Sequence, residues 1–344
     1  MPPAIVGPQP RQSPGVAAIL ILALLAFTAL FLAFSNGAND NFKGFATVWG
    51  SDALDYRRAL ILATVATVLG GIASVVLAQG LVGQFSGKGL VGNELAATPS
   101  FALAVVSGAA ATVILATRLG FPISTTHALV GGLVGAGLAQ SSEPINLGNL
   151  GSGFVLPLLT SPFVSAFLAL IAVLVMRKLA KPSTGPKPER PLPESGPWAD
   201  RLHLLSATSI CFARGVNDTP KLAALLLATQ MLNGTMAAIG ITAAMGIGGW
   251  LLSRRVAETM SHKINRLDTG QGVAANLVTA ALVLGASRFG LPVSTTHVSV
   301  GSIIGAGAAA GTLDLSVVRN VILSWVATLP IAAGIAFAVG LIVA

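Results

Sequence analysis

Two short polar stretches interrupt an otherwise apolar chain, and both contain residue types that bind ions. The first is NGANDNFK at residues 36–43, and the second is RGVNDTPK at residues 214–221, 178 positions further on. Each copy directly follows an apolar run, which predicts a position at membrane depth. A carboxylate is costly there, so it marks a functional site by default.

Asn and Asp side-chain oxygens, together with carbonyls of unwound backbone, coordinate Na⁺ or relay H⁺ in membrane proteins with broken helices. We therefore predict cation binding by four residues, of which the two aspartates are the ligands if the cation is Na⁺. These residues are Asn39, Asp40, Asn217 and Asp218. A simpler interpretation is an Asn/Asp turn that caps the following helix, with the nearby lysines paired to the aspartates. The presence of Asp at membrane depth in both copies favours the ion-binding interpretation.

A second pair of stretches has the residues expected of an anion site. RLGFPISTTH at 118–127 returns as RFGLPVSTTH at 288–297, with seven of ten positions identical. Proline disfavours helix at the preceding residue, so a new half-helix should begin after it with Ser and Thr in its first turn. A helix N-terminus offers free N–H groups and the positive end of the helix dipole, which together bind oxyanions such as phosphate. The predicted anion ligands are Ser124, Thr125, Thr126, Ser294, Thr295 and Thr296.

Two alternatives for these stretches stay open. The hydroxyl groups could bond only to the backbone of their own helix. His127 and His297, which follow the Ser-Thr-Thr runs, could donate to the anion or carry protons, and they could equally be packing residues.

The composition determines the class of protein. Of 344 residues, 53% are hydrophobic and 9% are charged, whereas a soluble domain has about 25% charged residues. Apolar runs of roughly 20 residues predict an all-α polytopic membrane protein with about 10–12 transmembrane helices. There is no P-loop, zinc motif or nucleophile elbow, so we expect no enzyme, no ATP-driven pump and no cofactor. The net charge of +8 comes from basic loops and does not indicate nucleic-acid binding.

The order of the motifs indicates an internal duplication, because both pairs recur in the same sequence order. Arg57-Arg58 precedes the apolar span 59–79, whereas Arg254-Arg255 follows the equivalent span 235–252. Since basic loops stay in the cytoplasm, equivalent helices should run in opposite directions. We therefore predict two inverted-topology repeats with broken or re-entrant helices, and a site at their interface near the midplane.

The predicted organisation has four parts, in a multi-pass protein of the cell (plasma or inner) membrane with both termini outside. They are a loose segment at 1–15, a first repeat at 16–176, a cytoplasmic linker at 177–201 and a second repeat at 202–344. Polar loops are expected at 80–100 and 253–271.

Together, the paired motifs resemble those of the PiT family of inorganic phosphate transporters over residues 16–342. The resemblance implies import of phosphate by alternating access, driven by co-transported Na⁺ or H⁺, with the residues above as ligands. Many members have glutamate where this chain has Asn276, which leaves the coupling ion undecided. Asn276 and Gln271 are accessory candidates. The implied partners are phosphate, Na⁺ or H⁺ and the lipid bilayer, and a homo-oligomer is left open.

Two other functions compete with phosphate symport. A sulfate permease of the same fold would offer a tetrahedral dianion the same half-helix site, although only protonated phosphate can donate a hydrogen bond to Asp40 or Asp218. An anion channel is the alternative from a different class.

Overall fold

The computed structural model describes residues 15–179, 197–230, 233–264 and 267–344, and nearly all of these are helical. This agrees with the all-α membrane protein that the composition predicts. The segment expected to be loose, 1–15, lies outside the described residues except for Gly15. Most of the expected linker also lies outside them.

Fifteen α-helices are present in the described residues. They are α1 (Val16–Asp40), α2 (Ala46–Gly50), α3 (Tyr56–Leu77), α4 (Gln79–Phe85), α5 (Asn93–Ala96), α6 (Pro99–Leu119), α7 (Thr125–Gln140), α8 (Leu147–Leu150), α9 (Leu156–Leu179), α10 (Pro197–Ala228), α11 (Gly234–Leu252), α12 (Arg254–Glu258), α13 (Thr269–Arg288), α14 (Thr295–Ala310) and α15 (Leu315–Val343). A 3₁₀ turn at Lys43–Phe45 joins α1 to α2, and π-helical turns occupy Gly151–Val155 and Thr259–Lys263.

Seven described segments are long and apolar enough to cross a membrane by length and composition. The 32-residue α10 is also long, but it contains the second polar stretch. By contrast, α7 and α14 have 16 residues each, fewer than the roughly 20 that a full crossing needs. Each packs against the helix before it, so α6–α7 and α13–α14 form two hairpins.

Two regions expected to be loops contain short helices. α4 and α5 occupy part of 80–100, and α12 with its π-helical turn occupies part of 253–271. The prediction missed them because these stretches are polar or glycine-rich overall. They nevertheless bury apolar side chains, among them Leu81, Phe85 and Val256.

The packing of the long helices follows one pattern twice. α1 packs against α6 and α11, and α10 packs against α13 and α3. In the same way, α7 packs against α15, and α14 packs against α9. Each contact made by a helix of the first half therefore has a counterpart made by the equivalent helix of the second.

Glycines allow these helices to touch backbone to backbone. A Cβ at Gly37 of α1 would collide with the Met245 carbonyl of α11, and one at Gly215 of α10 would collide with the Thr67 carbonyl of α3. The crossing of α7 and α15 has a similar close contact at Gly135. Small residues permit such close packing of helices in membranes. These crossings bring both polar stretches and both half-helices to the centre of the protein.

Candidate functional site

The two half-helices begin as the proline motifs predict. Gly120 and Gly290 have φ angles of 79° and 69°, a left-handed conformation that favours glycine. Each glycine follows the end of a long helix, and the prolines come two residues later, at Pro122 and Pro292. The polypeptide is therefore non-helical for a few residues before α7 and α14 start.

The serines of the Ser-Thr-Thr runs act as helix caps. The Ser124 hydroxyl accepts a hydrogen bond from the third amide of α7, 3.0 Å away, and the Ser294 hydroxyl does the same in α14 at 3.2 Å. The Ser124 carbonyl accepts from the fourth amide. The amides of Thr125 and Thr126, the first two residues of α7, have no partner within the helix. Each threonine pair therefore combines free backbone donors with hydroxyl groups, which suits an oxyanion.

Lys43 links the first polar stretch to both helix breaks, the non-helical segments that precede α7 and α14. Its ammonium group donates to the Thr296 hydroxyl at the start of α14 and to the Ile123 carbonyl before α7, the latter at 3.2 Å. It also forms an ion pair with Asp40. The side chain is 2% exposed. A buried cation thus lies between the two half-helix N-termini.

Lys221 repeats this arrangement from the second stretch. Its ammonium group donates to the Thr126 hydroxyl at 3.1 Å and to the Val293 carbonyl at 2.6 Å. The Asp218 carboxylate is 3.8 Å away. Each lysine therefore contacts the break of its own half and the threonine of the other half.

A single amide connects the two carboxylates. Asn36 Nδ2 lies 3.2 Å from Asp40 Oδ2 and 3.3 Å from Asp218 Oδ2. It also lies 3.0 Å from Thr125 Oγ1. This amide thus links both aspartates of the predicted cation site to Thr125 of the predicted anion site. Sequence reasoning missed Asn36, although it opens the first polar stretch.

Asn39 and Asn217 hold the breaks against the polar stretches. Asn39 donates to the Thr117 hydroxyl at 2.9 Å and accepts from the Ile123 amide at 3.1 Å. The Asn217 side-chain oxygen accepts from the Ser287 hydroxyl at 3.0 Å. Thr117 and Ser287 lie at equivalent positions near the ends of α6 and α13. Both asparagines therefore have bonds that position the half-helices.

Arg214 is the largest side chain in the site, and sequence reasoning overlooked it. It is 1% exposed and donates to Asn36 Oδ1 at 2.6 Å. Its Nε lies 3.5 Å from Asp218 Oδ2. A charged residue three positions before Asn217, at the start of the second polar stretch, was the available signal.

The expected unwinding of the backbone holds for only one polar stretch. α1 ends at Asp40 and is followed by the 3₁₀ turn, as expected for the first copy. α10 continues without a break through Asn217 and Asp218, so the expectation of unwound carbonyls in the second copy is wrong. The second copy contributes side chains from a continuous helix.

The two histidines lie beside each other rather than beside the lysines. The rings of His127 and His297 are 4.5 Å apart, and the His297 ring stacks on Trp325 at 3.9 Å. His297 Nδ1 lies 3.3 Å from the Leu158 carbonyl. These contacts connect α7 and α14 with α9 and α15.

The other accessory candidates lie outside the group that contains the lysines. Gln271 forms a capping box with Asp268 at the start of α13. Asn276 belongs to a separate buried polar cluster, in which it accepts from the Thr47 hydroxyl at 3.1 Å and donates to the Ser206 hydroxyl at 3.2 Å. The structure does not bring these two residues to the half-helix N-termini.

Comparison with known proteins gives a consistent result. The family model described as the phosphate transporter family matches residues 36–336. A protein of Rhizobium meliloti is 31% identical over 91% of this chain and 93% of its own length. A protein of Bacillus subtilis is 27% identical over 92% of this chain and 95% of its own length. Both are described as probable low-affinity inorganic phosphate transporters.

A solved structure shares the fold. It is described as the sodium-dependent phosphate transporter and has a TM-score of 0.77 to this chain. The match covers 94% of this chain and 98% of that one at 24% sequence identity. The likeness supports the helical architecture described above.

Proposed function

This chain belongs to the phosphate transporter family, so it is a transporter and not an enzyme, and we propose that it imports inorganic phosphate by cation symport with alternating access. The observation that carries the proposal is the meeting of two threonine-bearing half-helix N-termini at two buried lysines. The match to the family supports phosphate as the substrate.

The phosphate site is the space between α7 and α14. The threonine pairs Thr125–Thr126 and Thr295–Thr296 supply amides and hydroxyls, and Ser124 and Ser294 fix the first turns as caps. Positive helix ends favour an oxyanion there. Lys43 and Lys221 now donate to threonine hydroxyls, and an arriving phosphate would accept these hydrogen bonds instead.

The cation sites are at Asn39–Asp40 and Asn217–Asp218. When the lysines turn toward phosphate, the carboxylates lose part of their compensation and attract a co-transported cation. Such coupling is needed because each negative charge carried into a negatively charged cell costs about 2.3 kcal/mol per 100 mV. Asparagine and carboxylate oxygens suit Na⁺, and the description of the similar solved structure as sodium-dependent supports Na⁺. A carboxylate can also carry a proton, so H⁺ is the alternative cation.

Alternating access follows from an inverted repeat. The paired helix contacts described above support a pseudo-two-fold relation between residues 16–176 and 202–344. In such proteins the site lies near the midplane, and one part of the structure rocks against another around it. The hairpins α6–α7 and α13–α14 would then open the site to opposite sides of the membrane in turn.

The orientation follows from the distribution of basic residues. Three basic pairs flank helices at one end of the bundle, because Tyr56 bonds to Ser253 at 3.1 Å and Met176 packs in the same apolar cluster as Val256. The pairs are Arg57–Arg58, Arg177–Lys178 and Arg254–Arg255. Because basic loops remain inside, this end and the 177–201 linker face the cytoplasm and both termini face outward.

Uptake of radiolabelled phosphate into proteoliposomes tests the function. Na⁺ and pH gradients are imposed separately, with sulfate as competitor. Accumulation above the external concentration under one gradient is the expected result. Equilibration that ignores both gradients would indicate a channel, and preferential uptake of labelled sulfate would indicate a sulfate permease.

Cysteine labelling tests the orientation. In a Cys211→Ala background, Ser183→Cys in the linker should resist a membrane-impermeant thiol reagent in intact cells. Glu143→Cys, at an exposed position on the opposite end, should react. The reverse pattern would overturn the proposed orientation.

A further inference from the structure

The two polar stretches differ at their first position. Asn36 opens the first and Arg214 opens the second, 178 residues later, whereas the Gly, Asn, Asp and Lys positions are the same in both. Both side chains are buried, at 0% and 1% exposure. A neutral amide in one half is therefore matched by a buried guanidinium in the other.

Contacts with the first half fix the position of this guanidinium. Its two terminal nitrogens donate four hydrogen bonds, to Asn36 Oδ1 at 2.6 Å, the Asn36 carbonyl at 3.5 Å, Asn41 Oδ1 at 3.3 Å and Thr67 Oγ1 at 3.2 Å. The remaining Nε has no hydrogen-bond partner among the described residues and lies 3.5 Å from Asp218 Oδ2. Four of the five N–H groups thus face framework residues, and the fifth faces a carboxylate. The guanidinium therefore faces Asp218, and its hydrogen bonds among the described residues go to Asn36, Asn41 and Thr67 rather than to the Ser-Thr-Thr runs.

The same contacts orient Asn36. Because Asn36 Oδ1 accepts from Arg214, its Nδ2 must face the two carboxylates and Thr125. The arginine thereby sets which side of this amide reaches the site. Asn36 is neutral, so it adds no positive charge beside Asp40 as Arg214 does beside Asp218.

The buried charges do not cancel. Among the described residues, the buried charged side chains are Asp40, Lys43, Arg214, Asp218 and Lys221. Each aspartate has a lysine three residues later, so these four charges balance in pairs. The guanidinium is an additional positive charge that cannot be deprotonated in a protein. A buried charge needs a partner of opposite sign, and a phosphate monoanion would supply one.

We infer that Arg214 is a tethered counter-cation, which takes at Asp218 the place of one co-transported cation. The inference rests on the proposed function as a cation-coupled phosphate transporter. It makes the two cation sites unequal: the site at Asp40 takes a mobile cation, whereas the site at Asp218 keeps a permanent one. Each phosphate then moves with one cation fewer than it would if the second stretch began with asparagine.

The test exchanges Arg214 for the residue that the first half has at this position. Equilibrium binding of radiolabelled phosphate is measured on the purified full chain, across a series of Na⁺ concentrations at fixed pH and across a pH series without Na⁺. Arg214→Asn should need one more cation. By linkage, a tenfold fall in the coupling cation should weaken its phosphate binding about tenfold more than that of the wild type.

Arg214→Lys, which keeps the charge but loses the planar fork, is the matched control and should keep the wild-type cation dependence. Arg214→Gln is a second neutral variant that can still donate to Asn36, and it decides the test if Arg214→Asn does not fold. Identical cation dependence in wild type and a folded neutral variant would overturn the inference. So would loss of phosphate binding in folded neutral variants at every cation concentration. If proteoliposomes that contain the wild-type protein accumulate no phosphate under either gradient, the proposed function itself is overturned.

Discussion

The two polar stretches have the same key side chains but different backbones. In the first, the helix ends at Asp40 and a 3₁₀ turn follows, whereas in the second α10 continues past Asp218. One reason is the residue that follows the lysine of each stretch, which is Gly44 in the first copy and Leu222 in the second. A Cβ at Gly44 would collide with α10 at Cys211, so the 3₁₀ turn packs there only because the residue is glycine.

The electrostatic surroundings differ as well. Among the described residues, Asp40 has one cationic partner, Lys43, while Asp218 has Lys221 and Arg214. A duplicated motif has thus kept its hydrogen-bonding pattern and changed its charge balance. The repeated sequence therefore brings the same Asn, Asp and Lys side chains into contact in both halves. The residues around them determine how the charge of each aspartate is compensated.

Removal of each carboxylate charge should have the largest effect. We expect Asp40→Asn and Asp218→Asn each to abolish ion-driven phosphate uptake. The first variant loses the carboxylate proposed to bind the mobile cation, and the second leaves Lys221 and Arg214 buried without their carboxylate. Uptake into proteoliposomes under the wild-type gradient measures this, with size-exclusion chromatography as the control for folding. Wild-type rates in both variants would mean that the polar stretches are structural turns.

Removal of the lysines should distinguish the two halves by stability. Lys43→Met leaves Asp40 buried without a cationic partner, and breaking a buried pair in this way costs about 3–5 kcal/mol. Lys221→Met should cost clearly less, because Arg214 still compensates Asp218. The free energy of unfolding of the purified proteins gives the comparison. Equal losses would show that the arginine does not compensate Asp218.

The threonines should contribute equally to phosphate binding but unequally to stability. Thr125→Val or Thr295→Val removes one hydroxyl, and losing a hydrogen bond to a charged group costs about 1.5–3 kcal/mol, or about tenfold to hundredfold in affinity. Thr125 also accepts from Asn36, whereas Thr295 has no hydroxyl partner among the described residues.

Only Thr125→Val should therefore lower the thermal stability measured without phosphate. Calorimetric titration and thermal unfolding measure the two effects on the same samples. Unchanged phosphate affinity in both variants would remove the threonines from the site.

The glycine crossings should give the smallest and most symmetric effect. Gly37→Ala and Gly215→Ala each place a methyl group against a carbonyl of the crossing helix, and such overpacking costs about 1–3 kcal/mol. Gly240→Ala is the matched control, because its Cβ would lie at an ordinary 3.6 Å from Leu30. Thermal unfolding should show similar losses for the first two and none for the third. A large difference between Gly37 and Gly215 would argue against equivalent crossings.

Much of the architecture could be predicted because membrane helices can be recognised in a sequence as long apolar runs. The predicted span 235–252 corresponds to Gly234–Leu252, and 59–79 corresponds to Tyr56–Leu77. The half-helix starts were predictable because proline and a capping serine act locally. The helices α4, α5 and α12 were missed, since their apolar residues are too few to stand out.

The site itself was only partly predictable. Paired motifs indicated which residues matter, but contacts between the halves depend on tertiary packing. That Lys43 bonds to Thr296 and Lys221 to Thr126 depends on how the two halves of the chain pack against each other. The continuous α10 was not foreseen either, because Asn-Asp-Thr-Pro is typical of a turn. Arg214 was overlooked because the first-half residues that bind its guanidinium, Thr67 and Asn36, lie 147 and 178 residues away in sequence.

The glycine crossings also constrain how the protein is made. They join α1 to α11 and α7 to α15, helices that leave the ribosome long after their partners. Until α10 arrives, α1 and the turn after it present Asn36 and the Asp40–Lys43 pair with no second stretch to meet them, and charged groups are costly in lipid. The first half of this transporter therefore completes its packing only when the second half has entered the bilayer.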